Sequence, residues 1–158
     1  MIQEEKKLPL PPFNKETAVQ KVRMAENAWN TKDTAKISMA YTKESLWRNR
    51  DTFINGREEI VAFLNTKFEK ESAYKLVKEL WAYTEDRIAV RFAYEWIDKE
   101  GQWWRSYGNE NWEFSEQGLM TKRYASINDI KITKEEREFL WKEDIRPKEY
   151  ASLSEMGL

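Results

Sequence analysis

Three stretches, Arg87–Asp98, Gln102–Ser115 and Leu119–Ile130, are separated only by Lys99-Glu100-Gly101 and Glu116-Gln117-Gly118. Turns this short force neighbouring strands to pair antiparallel. With each glycine in the left-handed position of a three-residue hairpin loop, Asp98 pairs with Gln102 and Ser115 with Leu119. In that register Glu95 faces Arg105, Arg105 faces Asp129, Arg87 faces Glu113 and Asn111 faces Arg123, so opposite charges meet repeatedly. Carried back through Thr84-Glu85-Asp86, it sets Glu79 against Arg91 and Lys75 against Glu95. A slip of one residue would undo all of these pairs.

The other face of the meander carries Tyr74, Leu76, Leu80, Ile88, Val90, Phe92, Tyr94, Trp96, Trp104, Trp112, Phe114 and Met120. That much apolar surface requires cover, and helices are the available cover. Embedded in it are Lys78, Ser106, Glu110, Tyr124, Ser126 and Asn128.

Helical spacing appears upstream. Asn14 caps a helix through Asn30 in which Ala18, Val22, Ala25 and Trp29 form one stripe, with Phe13 stapled onto Ala18. Asp33 caps a short helix through Tyr41. Ser45–Asn49 and Thr52–Ile54 read as brief strands, Arg57–Lys70 as a third helix and Ala73–Tyr83 as the first long strand. After the sheet, Thr133-Lys134-Glu135-Glu136 has capping-box spacing and starts a short helix holding Phe139, Leu140 and Trp141, followed by an extended tail. The expected organisation is an arm over 1–12, an α+β domain over 13–132 and a helix with tail over 133–158 packed on the same domain.

A chain of 158 residues is long enough for a real core. Lys+Arg 27 against Asp+Glu 28 leaves no global field to gather nucleic acid or an anionic membrane. The absence of cysteine and histidine removes thiolate chemistry, serine–histidine catalysis and the commonest transition-metal ligands, so no cofactor or metal is expected. The N-terminal residues are charged and contain no apolar stretch long enough to span a membrane, and a cytoplasmic protein is expected.

Ala28-Trp29-Asn30, Trp47-Arg48-Asn49-Arg50, Gly56-Arg57-Glu58-Glu59-Ile60, Arg91-Phe92-Ala93-Tyr94-Glu95-Trp96, the run Arg105–Phe114 and Ala125-Ser126-Ile127-Asn128-Asp129, in this order of elements, resemble a bacterial family of unknown function. That family belongs to the nuclear transport factor 2-like superfamily, alongside polyketide-cyclase-like proteins. The resemblance implies a cone: three N-terminal helices closing over a strongly curved antiparallel sheet, and a homodimer through the sheet's outer face. It supplies no activity, because relatives include isomerases, hydrolases, dehydratases, cyclases and plain binders. No catalytic residue carries over from the isomerase or hydrolase patterns.

Glu110 has two readings. Desolvation in mid-strand would raise its pKa and make it a general acid or base; alternatively it is structural, bonded to Tyr124 or paired with Lys78. Lys78 either holds a ligand's anionic or carbonyl group or bridges to Glu110. Ser106, Ser126 and Asn128 lie near Gly108, whose missing side chain leaves space against Phe92. They offer polar contacts in an aromatic pocket whose walls include Trp29, Tyr41, Trp47, Phe92 and Tyr124, or else form a small-residue patch that lets a helix pack closely, with the aromatic rings as core. Arg48 and Arg50 offer a bidentate site for a carboxylate or phosphate, or surface pairing.

On the charged face, Trp81, Arg91, Glu95, Arg105, Tyr107, Asn111 and Arg123 are the expected dimer contacts. A strand bulge would exchange part of the pocket and interface sets. The leading expectation is a homodimeric domain that binds a small apolar or aromatic molecule, with Glu110-assisted proton transfer as a further step. The alternative is a non-catalytic association domain with a filled core.

Overall fold

The computed structural model describes residues 5–158. Helix α1 (Lys15–Thr31) starts where expected, with Asn14 accepting from the Thr17 amide and Thr17 Oγ1 accepting from the Asn14 amide, both at 2.9 Å. Helix α2 (Thr34–Ser38) is capped by Asp33 but stops before Tyr41, which instead opens strand β1 (Tyr41–Asn49). Strand β2 (Thr52–Asn55) and helix α3 (Gly56–Lys70) follow, then the long strands β3 (Ser72–Tyr83), β4 (Arg87–Ile97), β5 (Trp103–Phe114) and β6 (Met120–Ile132).

The sheet runs β2-β1-β6-β5-β4-β3. It is mixed rather than wholly antiparallel, because β1 lies parallel to β6. Helix α3 carries the chain from β2 at one edge of the sheet to β3 at the other, and the meander then runs back to β6 beside β1, so β1 and β6 need no tight turn between them.

The turn register is as read: Asp98 N donates to Gln102 O at 2.9 Å, and Ser115 N to Leu119 O at 2.8 Å. Glu95 faces Arg105, Arg87 faces Glu113, Glu79 faces Arg91 and Lys75 faces Glu95. The register then shifts. Phe114 faces Met120 but Glu113 faces Lys122, so Thr121 is an extra residue on β6.

That bulge reverses the faces of β6. Arg105 meets Ile130 and Asn111 meets Tyr124, in place of the expected Asp129 and Arg123. Arg123, Ala125 and Asp129 turn toward the helices, while Tyr124, Ser126 and Asn128 turn to the outer face.

The outer face is half covered by the chain itself. Beyond a single 3-10 turn (Lys134–Glu136), residues Phe139–Trp141 are extended rather than helical, and the tail ends in a short helix α4 (Leu153–Met156). Phe139, Trp141 and Leu153 pack on Val77 and Ala93. Glu95 accepts from the amides of Glu138 and Phe139 at 3.1 and 2.9 Å, and Arg105 donates to Glu136 O at 2.7 Å. Arg91 bonds the carbonyl of Leu158. Glu95 and Arg105, expected at a dimer surface, are therefore buried under the tail, with Tyr107 packed at its edge. Trp81 and Asn111 remain exposed. No helix among the described residues is long and apolar enough to cross a membrane.

Candidate functional site

The inner face has three zones. At its centre Trp29 stacks on Trp47 with ring centroids 5.8 Å apart, and Tyr41 meets Trp47 edge-on at 4.9 Å. The Phe92 ring fills the space over Gly108; a Cβ there would lie 2.0 Å from Phe92 Cζ. No open space therefore exists between Gly108 and Phe92.

Beneath these rings Glu110, 2% exposed, pairs with Lys78 through one oxygen and with Arg123 Nε through the other at 2.9 Å. Arg123 also donates to Asn49 Oδ1 at 3.1 Å. Lys78 Nζ sits 4.4 Å from the Phe92 centroid, and the Arg123 guanidinium 4.6 Å from that of Trp47. The Lys78–Glu110 bridge is one of the two readings from sequence, and Tyr124 takes no part in it.

Burial alone would raise the Glu110 pKa, but Lys78 and then Arg123 outweigh it and hold the carboxyl below its usual range. The upward shift expected for a general base is reversed by Lys78 and then by Arg123, which the β6 bulge turns inward. Burial pushes the Lys78 ammonium below its usual range despite Glu110. A carboxylate fixed by two cations and enclosed by aromatic rings is a core counter-ion.

Toward one end of the cone, between α3 and strands β4 to β6, opens a mouth cavity of about 460 Å³. Its aromatic walls include Tyr94, Trp96 and Trp104; Trp96 and Trp104 stack at 5.7 Å. Its charged groups include Asp129, Arg50, Lys70, Asp98 and the pair of Lys67 in α3 with Glu71 just beyond it, whose ions meet at 2.5 Å. Asp129 Oδ1 accepts from Arg50 Nη2 at 2.7 Å and from Ser106 Oγ at 2.5 Å, and Ser106 Oγ in turn accepts from Trp96 Nε1 at 3.0 Å. Partial burial pushes the Asp129 pKa up, but the bonds from Arg50 and Ser106 prevail and hold it down. Lys67 Nζ lies 4.0 Å from the Tyr94 centroid. The chemistry on offer is a fixed carboxylate acceptor beside a guanidinium donor, against flat apolar walls.

Of the residues expected to bind ligand, Trp29, Tyr41, Trp47, Lys78 and Phe92 converge in the central zone. Ser106 alone touches the mouth, through Asp129. Tyr124, Ser126 and Asn128 face outward because of the Thr121 bulge, and Arg123 faces inward for the same reason. Arg50, foreseen as a carboxylate partner, finds one in Asp129; Arg48 Nη1 instead bonds the carbonyls of Arg50 and Ala125.

Asp129, Lys67, Glu71 and Tyr94 were not anticipated as site residues. Among the described residues no group of three or more acidic side chains is arranged to hold a metal ion.

Helices over the concave face of a curved sheet with an open end define the class: a nuclear transport factor 2-like α+β cone of the kind found in SnoaL-like polyketide cyclases. The chain belongs to the DUF1348 family of proteins of unknown function, whose family model matches residues 11–140.

Among solved structures, the epoxide hydrolase/cyclase-like enzyme SalBIII of salinomycin pyran-ring formation is 15% identical with a TM-score of 0.61, over 72% of this chain and 93% of that one. A putative SnoaL-like polyketide cyclase from Shewanella denitrificans OS-217 is 15% identical with a TM-score of 0.60, over 69% and 89%. Rv0760c from Mycobacterium tuberculosis, in complex with estradiol-17beta-hemisuccinate, is 13% identical with a TM-score of 0.58, over 68% and 92%. At these identities the likeness is one of fold. No curated protein matches the chain by sequence.

Proposed function

We propose that the protein binds a small neutral organic molecule in the mouth cavity. The ligand's flat or apolar body lies against Trp96 and Trp104, its hydroxyl donates to Asp129, and a carbonyl accepts from Arg50. The carrying observation is the Asp129–Arg50–Ser106 cluster in an aromatic cavity of about 460 Å³, a volume within the usual range for small-molecule sites. Positive and negative side chains are balanced in its wall, with Arg50, Lys67 and Lys70 against Glu71, Asp98 and Asp129, which favours an uncharged ligand. The steroid derivative held by the fold neighbour from Mycobacterium tuberculosis agrees with a small-molecule role for this architecture. Glu110 serves here as a structural ion, so proton transfer through it is not part of the reading.

A panel of neutral aromatic and terpenoid alcohols and ketones, followed by thermal unfolding, tests this. The expected result is a Tm rise with at least one compound that Asp129→Asn and Trp104→Ala remove. No rise with any compound, or a rise that survives both substitutions, overturns it.

The part of the outer face that the tail leaves bare favours an assembly role alongside binding. Phe53 is 77% and Trp81 68% exposed, with Leu46 at 45% and Tyr124 at 40%. We propose that a second copy covers this strip, which moves the expected dimer contact away from Glu95, Arg105 and Tyr107. Sedimentation of wild type and Trp81→Ser is the test: loss of a dimer on substitution supports the reading, and a monomeric wild type overturns it.

A further inference from the structure

A second cavity, of about 230 Å³, lies at the opposite end of the inner face, enclosed by α1, α2 and the ends of β5 and β6. The Trp29 ring stands between it and the central ion network. Its walls are apolar, with Trp29, Trp112, Phe114, Ile37 and Met120 prominent among them.

The charges in this wall are one-sided. Lys7, Lys21 and Lys36 line it, and among the described residues no Asp or Glu does, although acids slightly outnumber bases in the chain. Lys21 is only 5% exposed, and its ammonium donates to two neutral carbonyls, Lys7 O and Gly118 O, each at 2.8 Å. An ammonium has three hydrogens and the two carbonyls take two of them; the ammonium also stands 5.3 Å from the Phe114 ring centroid, and among the described residues no carboxylate lies within ion-pair reach of it. Burial, then the charge of Lys7, pushes its pKa down to about 8.

Two further observations point the same way. The indole Nε1–H of Trp112, a wall residue 3% exposed, has no acceptor among the described residues; a buried donor left unpaired is costly. Near the same ring Lys78 and Arg123 share the single carboxylate of Glu110, with Lys78 Nζ 5.6 Å from the Trp112 centroid, so cations outnumber carboxylates in that network.

We propose that this cavity binds a small apolar carboxylic acid as its anion, with rings or chain between Trp29, Trp112 and Met120 and the carboxylate at Lys21. The volume lies below the range for drug-sized ligands, so the acid is a compact aromatic or a medium-length aliphatic one. The site is separate from the mouth cavity, and differs from it in wanting charge.

Calorimetric titration of the full chain with 2-naphthoate, and with its neutral isostere 2-naphthamide, tests the proposal. The acid is expected to bind at least about tenfold tighter than the amide. Ala28→Leu, which fills the cavity, should abolish binding. Lys21→Met should weaken it about tenfold or more, Lys36→Gln should weaken it less, and Asp129→Asn should leave it unchanged. If Lys21→Met does not fold, Lys36→Gln and Ala28→Leu carry the test.

Equal affinity for acid and amide would overturn the proposal. So would acid binding that Ala28→Leu spares and Asp129→Asn removes, or no binding at about 1 mM acid.

Discussion

Arg123 Nε lies 2.9 Å from Glu110 Oε2, although the residue directly opposite Glu110 on the neighbouring strand is Ala125. The arginine reaches diagonally, a span open to a long side chain on the same face of a sheet. With Lys78 on the other oxygen, one buried carboxylate is shared between two cations.

That asymmetry predicts an order of costs. Glu110→Gln leaves Lys78 and Arg123 facing each other without a counter-ion, whereas Lys78→Met leaves the Arg123–Glu110 pair intact. Urea unfolding should show a loss of about 3–5 kcal/mol for Glu110→Gln and a clearly smaller loss for Lys78→Met.

Acid should expose the same pair. The folded Glu110 pKa lies below its unfolded value, so its stabilising effect is complete above the ordinary carboxylate range and is lost as pH falls through the folded value. Wild type should therefore lose stability on acidification more steeply than the double variant Glu110→Met, Arg123→Met, measured as Tm against pH.

Lys21 gives the alkaline counterpart. Its folded pKa is about 8 against 10.5 for the free side chain, so between these values the unfolded chain holds more protons and stability rises with pH. Relative to Lys21→Met, wild type should gain stability from pH 8 upward. A flat difference would remove the buried-ammonium account.

Gly108→Ala places a methyl 2.0 Å from the Phe92 ring. Overpacking of this kind costs about 1–3 kcal/mol, and Phe92→Leu in the same chain should recover part of it, as read by chemical denaturation.

Phe139→Ala should release the tail before the sheet melts. The Phe139 amide, bonded to Glu95 at 2.9 Å, should then exchange with deuterium much faster while amides of β5 stay protected. The truncation itself costs about 3–5 kcal/mol.

Turn chemistry and charge pairing made β3, β4 and β5 legible from the sequence down to individual pairs, because both signals repeat along those strands. The β6 register counted from the Ser115–Leu119 turn is one residue out beyond Thr121, so the phase expected for β6 is reversed. Its alternation of Ala125 and Ile127 with Ser126 and Asn128 carries the observed phase, but a bulge has no residue signature of its own, and Thr121 is an ordinary strand residue. Asp129 was thereby placed on the wrong face, and the mouth cluster went unseen. The parallel contact of β1 with β6 was hidden for another reason: it joins segments far apart in sequence, and no local pattern encodes it. The capping box at Thr133–Glu136 predicts a helix through Phe139–Trp141; the box forms but closes only a 3-10 turn, and the residues beyond it leave the helix to cover Val77 and Ala93.

The cover over Val77 and Ala93 is tethered to the surface it protects. Its local concentration is fixed by chain connectivity and stays the same however dilute the protein becomes. The aromatic strip around Phe53 and Trp81 has no such tether, so any cover over it must follow mass action. One face of one sheet thus combines a seal that dilution leaves in place with a strip on which a second copy, as proposed, would come and go with protein concentration.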